Sequence, residues 1–277
     1  KERGRARHVW FDDTLRQRAL DRLSLESRLR RALERDEFVM HYQPVVHLGS
    51  GGWAGAESLV RWHQPGDRVI GPGEFIPLAE ETGLILPLGQ LIFEKVLADA
   101  KRAGQPEIWP VAVNISPIQL SDPSLALSLA RTAEAAGVPT DRIVLELTES
   151  SLMEEFDRAL PVLQQLSEIG FSLVIDDFGT GHSSIARLIE MPVKGIKIDR
   201  SFIGRLGDDS AAERVVAAIV DLAHALGLRV VSEGVETAHA LRRLGTLGSD
   251  LAQGYFIARP MPVEDLAALF AAPPPSG

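Results

Sequence analysis

Carboxylate and amide side chains recur at or near the carboxyl ends of segments that favour β-strands. They are Glu57, Asn114, Glu146, Glu149, Asp176, Asp177, Asp199, Glu233, Glu236 and Gln253, and Lys197 accompanies them. Charged groups in buried strands are costly unless they are paired or bound to metal. One acid at a strand end is explained equally well as a helix N-cap, but six strands that deliver such groups indicate one shared site.

The types of these side chains favour a site for hard cations. Carboxylate and amide oxygens suit Mg²⁺ or Mn²⁺ better than zinc. The adjacent Asp176 and Asp177 could bridge two ions, and paired metals hold the attacking and leaving oxygens of an in-line phosphoryl displacement. Lys197 would orient water or phosphate, or balance the charge of Asp176 or Glu146, and the two roles are compatible. Glu233 is a candidate general base.

Composition excludes several other kinds of protein. The 277-residue chain contains no cysteine, which rules out a disulfide scaffold, a Cys-ligated zinc site, an iron–sulfur cluster and thiol catalysis. The histidines form no HxH or HExxH pattern, so His63, His182 and His224 are interpreted as surface or loop residues. Residues 1–35 carry 11 basic and 6 acidic side chains, whereas residues 36–277 carry 18 and 32. Because acidic side chains outnumber basic ones in residues 36–277, a DNA or RNA polymer is disfavoured as a partner.

The first segment predicts an amphipathic basic helix over 15–33, with a break near Ser24 or a rotated apolar stripe. Such a helix could bind a membrane or a partner, but a connector from a preceding domain is favoured. The chain starts at Lys1 rather than Met, which indicates a fragment or a processed product. No apolar run approaches the ~18 residues of a membrane span, so we expect a cytoplasmic domain without membrane contact.

Beyond this segment, strand and helix patterns alternate. Strands are predicted at Phe38–Val46, Trp53–Trp62, Ile108–Val113, Ile143–Leu147, Ser172–Ile175, Gly195–Ile198, Arg229–Val231 and Asp250–Tyr255. Helices are predicted at Pro87–Ala103, Ser124–Ala136, Ser151–Ile169, Ala211–Leu226 and Thr237–Leu244. This rhythm indicates an α/β fold of the (β/α)₈ barrel type. A doubly wound sheet is the alternative, but no Gly-rich nucleotide loop follows the first strand.

The motifs around these residues are similar to those of one known family. In order they are Tyr42-Gln-Pro44, Glu57-Ser-Leu-Val-Arg-Trp62, Pro72 with Glu74-Phe-Ile76, Asn114-Ile-Ser116, Glu146-Leu-Thr-Glu-Ser150, Asp176-Asp-Phe-Gly-Thr-Gly181, Lys197-Ile-Asp199, Glu233-Gly-Val-Glu236 and Gln253-Gly-Tyr255. From about Leu25 to Pro262 the chain closely resembles the EAL-domain family, the cyclic-di-GMP-specific phosphodiesterases of bacteria.

The resemblance implies a modified, TIM-like (β/α)₈ barrel whose first strand runs antiparallel to the others. It divides the chain into a helical linker at 1–35 from an upstream GGDEF-type domain, a barrel at 36–270 and a disordered tail at 271–277. It also implies cyclic-di-GMP as the substrate, hydrolysis to linear pGpG and a homodimer. The alternative is a catalytically silent receptor that only binds the nucleotide, although receptors of that kind typically lose ligands that this chain keeps.

The resemblance also implies a role for each site residue. Two Mg²⁺ or Mn²⁺ ions are expected, with Ca²⁺ inhibitory. The metal ligands would be Glu57, Asn114, Glu146, Asp176 and Asp177. Among the catalytic residues, Lys197 would position the nucleophilic water, Glu233 would act as base or water ligand, and Glu149 would anchor the 177–183 loop. On the substrate side, Gln43 and Arg61 would meet guanine or phosphate, and Glu236 and Gln253 would support the site. Four residues depart from the usual pattern: Ser58, His182, Lys194 and Ser232.

Overall fold

The structure, a computed structural model, describes residues 13–66, 68–104, 109–181, 184–207 and 210–275. Its strands are β1 (Phe38–His47), β2 (Trp53–Gln64), β3 (Arg68–Ile70), β4 (Val111–Asn114), β5 (Ile143–Thr148), β6 (Ser172–Phe178), β7 (Gly195–Ile198), β8 (Arg229–Ser232) and β9 (Leu251–Ala252). Its α-helices are α1 (Asp13–Glu34), α2 (Pro72–Glu81), α3 (Ile85–Ala103), α4 (Pro117–Leu120), α5 (Leu125–Ala136), α6 (Glu149–Glu154), α7 (Phe156–Ile169), α8 (Ile185–Glu190), α9 (Arg200–Ile203), α10 (Ser210–Ala225), α11 (Ala238–Thr246) and α12 (Val263–Phe270).

Eight of the strands close into a barrel. The sheet runs in the order β1-β9-β8-β7-β6-β5-β4-β2, and pairing of β1 with β2 closes the ring. β1 is antiparallel to both of its neighbours, whereas the remaining neighbours around the ring are parallel. β3 extends the end of β2 outside the ring. The predicted barrel with an antiparallel first strand is confirmed.

The helices and the last strand depart from the sequence prediction in detail. The pattern missed β3, α2, α4, α8, α9 and α12, because each is short or follows a proline or glycine that obscures its period. The single helix expected at Ser151–Ile169 is wrong, because the chain turns at Glu155 and α6 and α7 are separate. The last strand was predicted at Asp250–Tyr255 but pairs only over Leu251–Ala252. Ile108 lies outside the described residues.

The N-terminal helix is continuous and lies against α2. α1 has no break at Ser24, and its Leu29 and Ala32 are fully buried. Arg22 forms an ion pair with Glu81 on α2, and Arg28 donates to the Oε1 atom of Gln64 at 3.3 Å. Among the described helices, none has the length and apolar composition needed to cross a bilayer.

The C-terminal end is attached to the start of β2. The Trp53 ring packs against Phe270 with centroids 4.8 Å apart. Its indole N–H donates to the Ala272 carbonyl at 2.7 Å. Ala272 belongs to the segment that we expected to be a disordered tail, and the last two residues of that segment lie outside the described residues.

A close backbone approach brings β2 beside β4, which carry Glu57 and Asn114. Gly55 has φ +123°, a conformation that L side chains rarely adopt, and a Cβ atom there would overlap the Pro110 carbonyl oxygen. That carbonyl accepts a hydrogen bond from the Ala56 N–H at 3.2 Å. Glycine at this position therefore permits the register in which Glu57 lies opposite Ala112.

We expect Gly55→Ala to lower the free energy of unfolding by on the order of 3 kcal/mol, because strain and overlap act together. Chemical denaturation measures the change. Gly245→Ala is the matched control, since that glycine lies in α11 with no atom within 4 Å of an added Cβ; it should be neutral or stabilising by up to ~1 kcal/mol. Equal stabilities for the two variants would contradict the close-approach argument.

Candidate active site at the barrel mouth

A buried ammonium group occupies the centre of the site. Lys197 on β7 is 1% exposed. Its Nζ atom lies 3.2 Å from Glu57 Oε2, 2.8 Å from Glu146 Oε2, 3.4 Å from Asp176 Oδ1 and 2.6 Å from Glu233 Oε1. One positive charge thus faces four carboxylates, which come from three other strands and from the loop after β8. We predicted that these residues meet at one mouth of the barrel, and the structure brings their side chains together around Lys197.

The strand register explains why these side chains meet. Asn114 lies opposite Glu146, and Thr148 lies opposite Asp176, in successive parallel pairs. Because the carboxyl ends of parallel barrel strands open on the same face, residues at these ends converge. β2 runs parallel to β4, so Glu57 opens on the same face as Asn114 and Glu146. The other neighbour of β2, which is β1, runs antiparallel to it.

Glu57 is held by three hydrogen-bond donors. Its Oε1 accepts from Asn114 Nδ2 at 3.0 Å, and its Oε2 accepts from Gln253 Nε2 at 2.6 Å and from Lys197. Burial would raise the pKa of Glu57, but the Lys197 charge and these donors together lower it. Glu57 is therefore kept ionised inside the barrel.

The other acids carry the unbalanced charge. Burial, opposed by Lys197 and reinforced by neighbouring carboxylates, raises the pKa of Glu146 well above its usual range. Burial and the nearby Asp176 and Glu57 charges raise the pKa of Glu233 to about 7, against the effect of Lys197. Burial opposes the charged form of Lys197, yet the surrounding carboxylates raise its pKa well above the usual value. This site contains more negative charge than its own residues neutralise.

The paired aspartates occupy a tight bend at the end of β6. Asp177 has φ +53°, and its N–H donates to the Asp176 carboxylate at 2.9 Å. Burial and the charges of Asp176 and Asp199 raise the pKa of Asp177 to about 6. Sequence reasoning noted Asp199 but gave it no role; its carboxylate caps α9 by accepting from Ser201 N–H at 3.0 Å. Asp199 follows Lys197 by two positions, a spacing that puts two side chains on the same face of an extended strand. This spacing was the feature of the sequence that could have indicated a place for Asp199 beside the site.

The donor set fits divalent cations. Ligand oxygens of Asp176, Asp177 and Glu233 lie within 4.8 Å of one another, a span that a single hard cation could bridge. Glu57 and Glu146 lie beside them around Lys197. The Asn114 amide directs its nitrogen to Glu57, so its oxygen is the atom that could bind a cation. Mg²⁺, Mn²⁺ and Ca²⁺ prefer oxygen ligands, and this cluster offers an excess of buried carboxylate oxygens together with one amide oxygen.

Glu149 holds the turn that follows Asp177. It is fully buried at the start of α6, and its Oε2 accepts from the Gly179 N–H at 2.7 Å. A Cβ on Gly181 would crowd the other Glu149 oxygen at 2.8 Å. These contacts connect the start of α6 to the turn after Asp177, and they place Glu149 beside the acids around Lys197 rather than among them; its anchoring role stays a prediction.

The expected substrate contacts fall into three different settings. Half-buried Arg61 on β2 donates to the Val60 carbonyl at 2.9 Å. Burial lowers the pKa of Arg61, and the nearby Tyr255 and Glu57 oppose that change. Gln43 and Gln253 are buried. Glu236 is exposed and lines a groove with Gly207 and His239 rather than the Lys197 cluster. The sequence analysis missed Arg259, whose guanidinium lies 4.3 Å from the Tyr255 ring centroid.

Three of the four departures from the family pattern are accommodated away from the acids. Ser58 is buried and donates to the Ala112 carbonyl at 2.7 Å. Ser232 shares a 2.8 Å hydrogen bond with Ser249. Lys194 is exposed and donates to Ser172 at 3.3 Å. His182 lies outside the described residues.

The fold and the site define an α/β barrel protein whose first strand is antiparallel and whose mouth is lined by carboxylates. Comparison with known proteins makes the class specific: residues 26–260 match the model of the EAL domain. The chain belongs to the EAL domain family.

Relatives named for cyclic di-GMP chemistry are similar over nearly the whole chain. The bifunctional diguanylate cyclase/cyclic di-GMP phosphodiesterase MucR of Pseudomonas aeruginosa is 39% identical, over 97% of this chain and 39% of MucR. The cyclic di-GMP phosphodiesterase PdeR of Escherichia coli is 40% identical, over 95% of this chain and 40% of PdeR. The chain thus spans about two fifths of the length of these relatives. A solved PaMucR phosphodiesterase in complex with c-di-GMP superposes with TM-score 0.83 and 40% identity, covering 88% of this chain and 99% of that one.

The raised carboxyl pKa values predict how pH and metal act on stability. Because folded Asp177 and Glu233 hold protons that the unfolded chain releases, their contribution destabilises the metal-free fold progressively as pH rises from about 4 to about 7. Cations bind the deprotonated carboxylates. We therefore expect Mn²⁺ to raise the melting temperature more at about pH 8 than at about pH 5.

Thermal melts with and without Mn²⁺ measure this difference. In the double variant Asp177→Asn, Glu233→Gln the pH dependence of the Mn²⁺ effect should shrink. An Mn²⁺ effect that is equal at the two pH values in the parent chain would contradict the assignment of these carboxylates to the cation site.

Proposed function

We propose that this chain hydrolyses cyclic-di-GMP to linear pGpG. The observation that carries the proposal is the buried cluster in which Lys197 faces Glu57, Glu146, Asp176 and Glu233. Membership of the EAL family and the names of the relatives support the substrate. The metal ligands proposed from the sequence, namely Glu57, Asn114, Glu146, Asp176 and Asp177, are all present around this cluster.

The chain's own residues would divide the work. Lys197 hydrogen-bonds the acids and would orient the attacking water. Glu233, at 19% exposure, is the most accessible of the four carboxylates around Lys197, and its pKa of about 7 suits a group that takes a proton from water near neutral pH. Arg61 would hold a phosphate at the rim, and Glu149 would keep the 177–181 turn in place. Two Mg²⁺ or Mn²⁺ ions, when bound, would offset the acidic charge and stabilise the oxygens of an in-line displacement.

The wider organisation is part of the same proposal. We infer that residues 1–35 link the barrel at 36–270 to an upstream GGDEF-type or sensor domain, and that the domain acts as a homodimer in the cytoplasm. MucR, which is named for both cyclase and phosphodiesterase activities, supports an arrangement of this kind.

The direct test is to incubate the chain with cyclic-di-GMP and Mg²⁺ or Mn²⁺ and to detect pGpG by chromatography. We expect turnover in the parent chain and a loss of at least ~100-fold in Glu57→Ala, because a direct ligand is removed. Glu213→Ala is the control, since Glu213 pairs with Arg243 outside the cluster. Full activity in Glu57→Ala would refute the metal assignment, and binding without product in the parent chain would identify a receptor.

A second variant separates chemistry from binding. In Glu233→Gln the side chain keeps its size but cannot accept a proton, so we expect turnover to fall by ~100-fold or more. Binding of cyclic-di-GMP in the presence of Ca²⁺, measured by calorimetry, should persist. If binding falls as much as turnover does, Glu233 holds the site together and another group is the base.

A further inference from the structure

An arginine is stacked on a tyrosine in the turn that follows β9. The guanidinium carbon of Arg259 lies 4.3 Å from the centroid of the Tyr255 ring. Both side chains are exposed, that of Tyr255 at 51%. The ring quadrupole attracts a guanidinium placed over its face, and the stacked contact restricts the directions in which the N–H groups can point. Tyr255 therefore limits the orientation of Arg259 and leaves it accessible.

Hydrogen bonds to β1 hold this turn at the mouth of the barrel. The Ala258 carbonyl accepts from Gln43 Nε2 at 3.0 Å, and Gln43 lies opposite Glu57 in the β1–β2 pairing. Met261 and Tyr42 exchange backbone hydrogen bonds of 2.7 and 3.0 Å. The turn is thus attached to β1 on both sides of its arginine, on the side of the mouth where Glu57 lies.

A second arginine lies near the same tyrosine. Burial lowers the pKa of Arg61, and the nearby Tyr255 opposes that change. Arg61 follows Glu57 by four positions on β2, a spacing that puts both side chains on the same face of the strand. The structure therefore brings two guanidinium groups, those of Arg61 and Arg259, to the neighbourhood of one tyrosine ring beside the acidic site.

Carboxylates of the chain leave both of these arginines available. Within the described residues, no ion pair joins Arg61 or Arg259 to an acid, although Asp and Glu outnumber Lys and Arg by 38 to 29. Arg102 and Arg243, by contrast, pair with Glu264 and Glu213. An unpaired guanidinium keeps N–H donors for an anion, and its planar fork matches the oxygens of a phosphate.

The proposed substrate carries two phosphodiester groups, and only one of them is cleaved at the cation site. The other keeps its negative charge, and the acids around Lys197 would repel it unless a cation lies beside it. We propose that Arg259, oriented by Tyr255, binds this uncleaved phosphate next to Arg61. The inference rests on the proposed function, since it assumes a cyclic dinucleotide as the substrate. Arg259 would then favour a substrate with two phosphates over a simple phosphodiester.

The test compares Arg259→Gln with the parent chain on two substrates. KM for cyclic-di-GMP should rise by ~10-fold or more with kcat nearly unchanged, because a charge-assisted hydrogen bond present before and during the reaction is lost. Bis(p-nitrophenyl) phosphate has a single phosphate, so its hydrolysis should not change. Mn²⁺ affinity, measured by calorimetry, should also stay the same. Arg229→Gln is the matched control, since Arg229 is an exposed arginine at the start of β8, at the opposite end of the barrel.

Two substitutions of Tyr255 test its positioning role. Tyr255→Phe keeps the ring face and should retain the parental KM for cyclic-di-GMP. Tyr255→Leu removes the ring and should raise that KM by ~2–5-fold. Added to Arg259→Gln, Tyr255→Leu should cause no further loss, because Tyr255 acts through Arg259. A further loss in this double variant would contradict the positioning role.

Salt provides a readout that a merely structural role would not change. KM of the parent chain should rise more steeply with NaCl concentration than KM of Arg259→Gln, because added salt screens a contact between charges. Parallel salt dependences, an unchanged KM in Arg259→Gln, or an equal loss on both substrates or in Arg229→Gln would each overturn the proposal. If the parent chain binds cyclic-di-GMP in Ca²⁺ but releases no pGpG, calorimetric affinities of the same variants still decide on Arg259, while the proposed hydrolysis fails.

Discussion

The arrangement of this barrel depends on one buried ammonium group. Lys197 lies where no solvent can screen it, and a lone charge in that position would be very unfavourable. Glu57, Glu146, Asp176 and Glu233 balance it, but together they bring more charge than one lysine can neutralise. The site is consequently stable only as a set: each carboxylate depends on Lys197, and the remaining negative charge depends on protons or cations.

The antiparallel first strand has a consequence for this set. Since β1 runs against β2, Gln43 lies directly across from Glu57, and the chain that follows β9 can pair with Tyr42 through Met261. A parallel first strand would pair with β2 in the slanted register of parallel ladders, without the direct exchange of bonds between opposite residues. The direction of β1 thus places Gln43 opposite Glu57, and Gln43 donates in turn to the Ala258 carbonyl.

The fold class followed from the alternation of strand and helix patterns, and the strands that carry the acids were recognisable because a buried strand with a terminal acid departs from the ordinary apolar pattern. The antiparallel direction of β1 followed only from the resemblance to the EAL family. The sequence could not predict the contacts of Gln43, since an amide that bonds to a carbonyl 215 residues away leaves no local signal. The apolar pattern did not reveal the bend at Glu155 that separates α6 from α7, nor that the last strand pairs only over Leu251–Ala252. Glu236 belongs to the predicted motif, yet it lines a separate groove together with Gly234 and His239.

Charge also bears on the order in which ligands can approach. Asp177 joins the four carboxylates around Lys197, so a phosphodiester that entered the metal-free mouth would face five acids and one buried cation. At short range and low effective dielectric, repulsion of this kind outweighs the attraction of one half-buried arginine such as Arg61. Under the proposed function, this acidity would disfavour the substrate until protons or cations neutralise it, and nucleotide binding would then be coupled to cation binding.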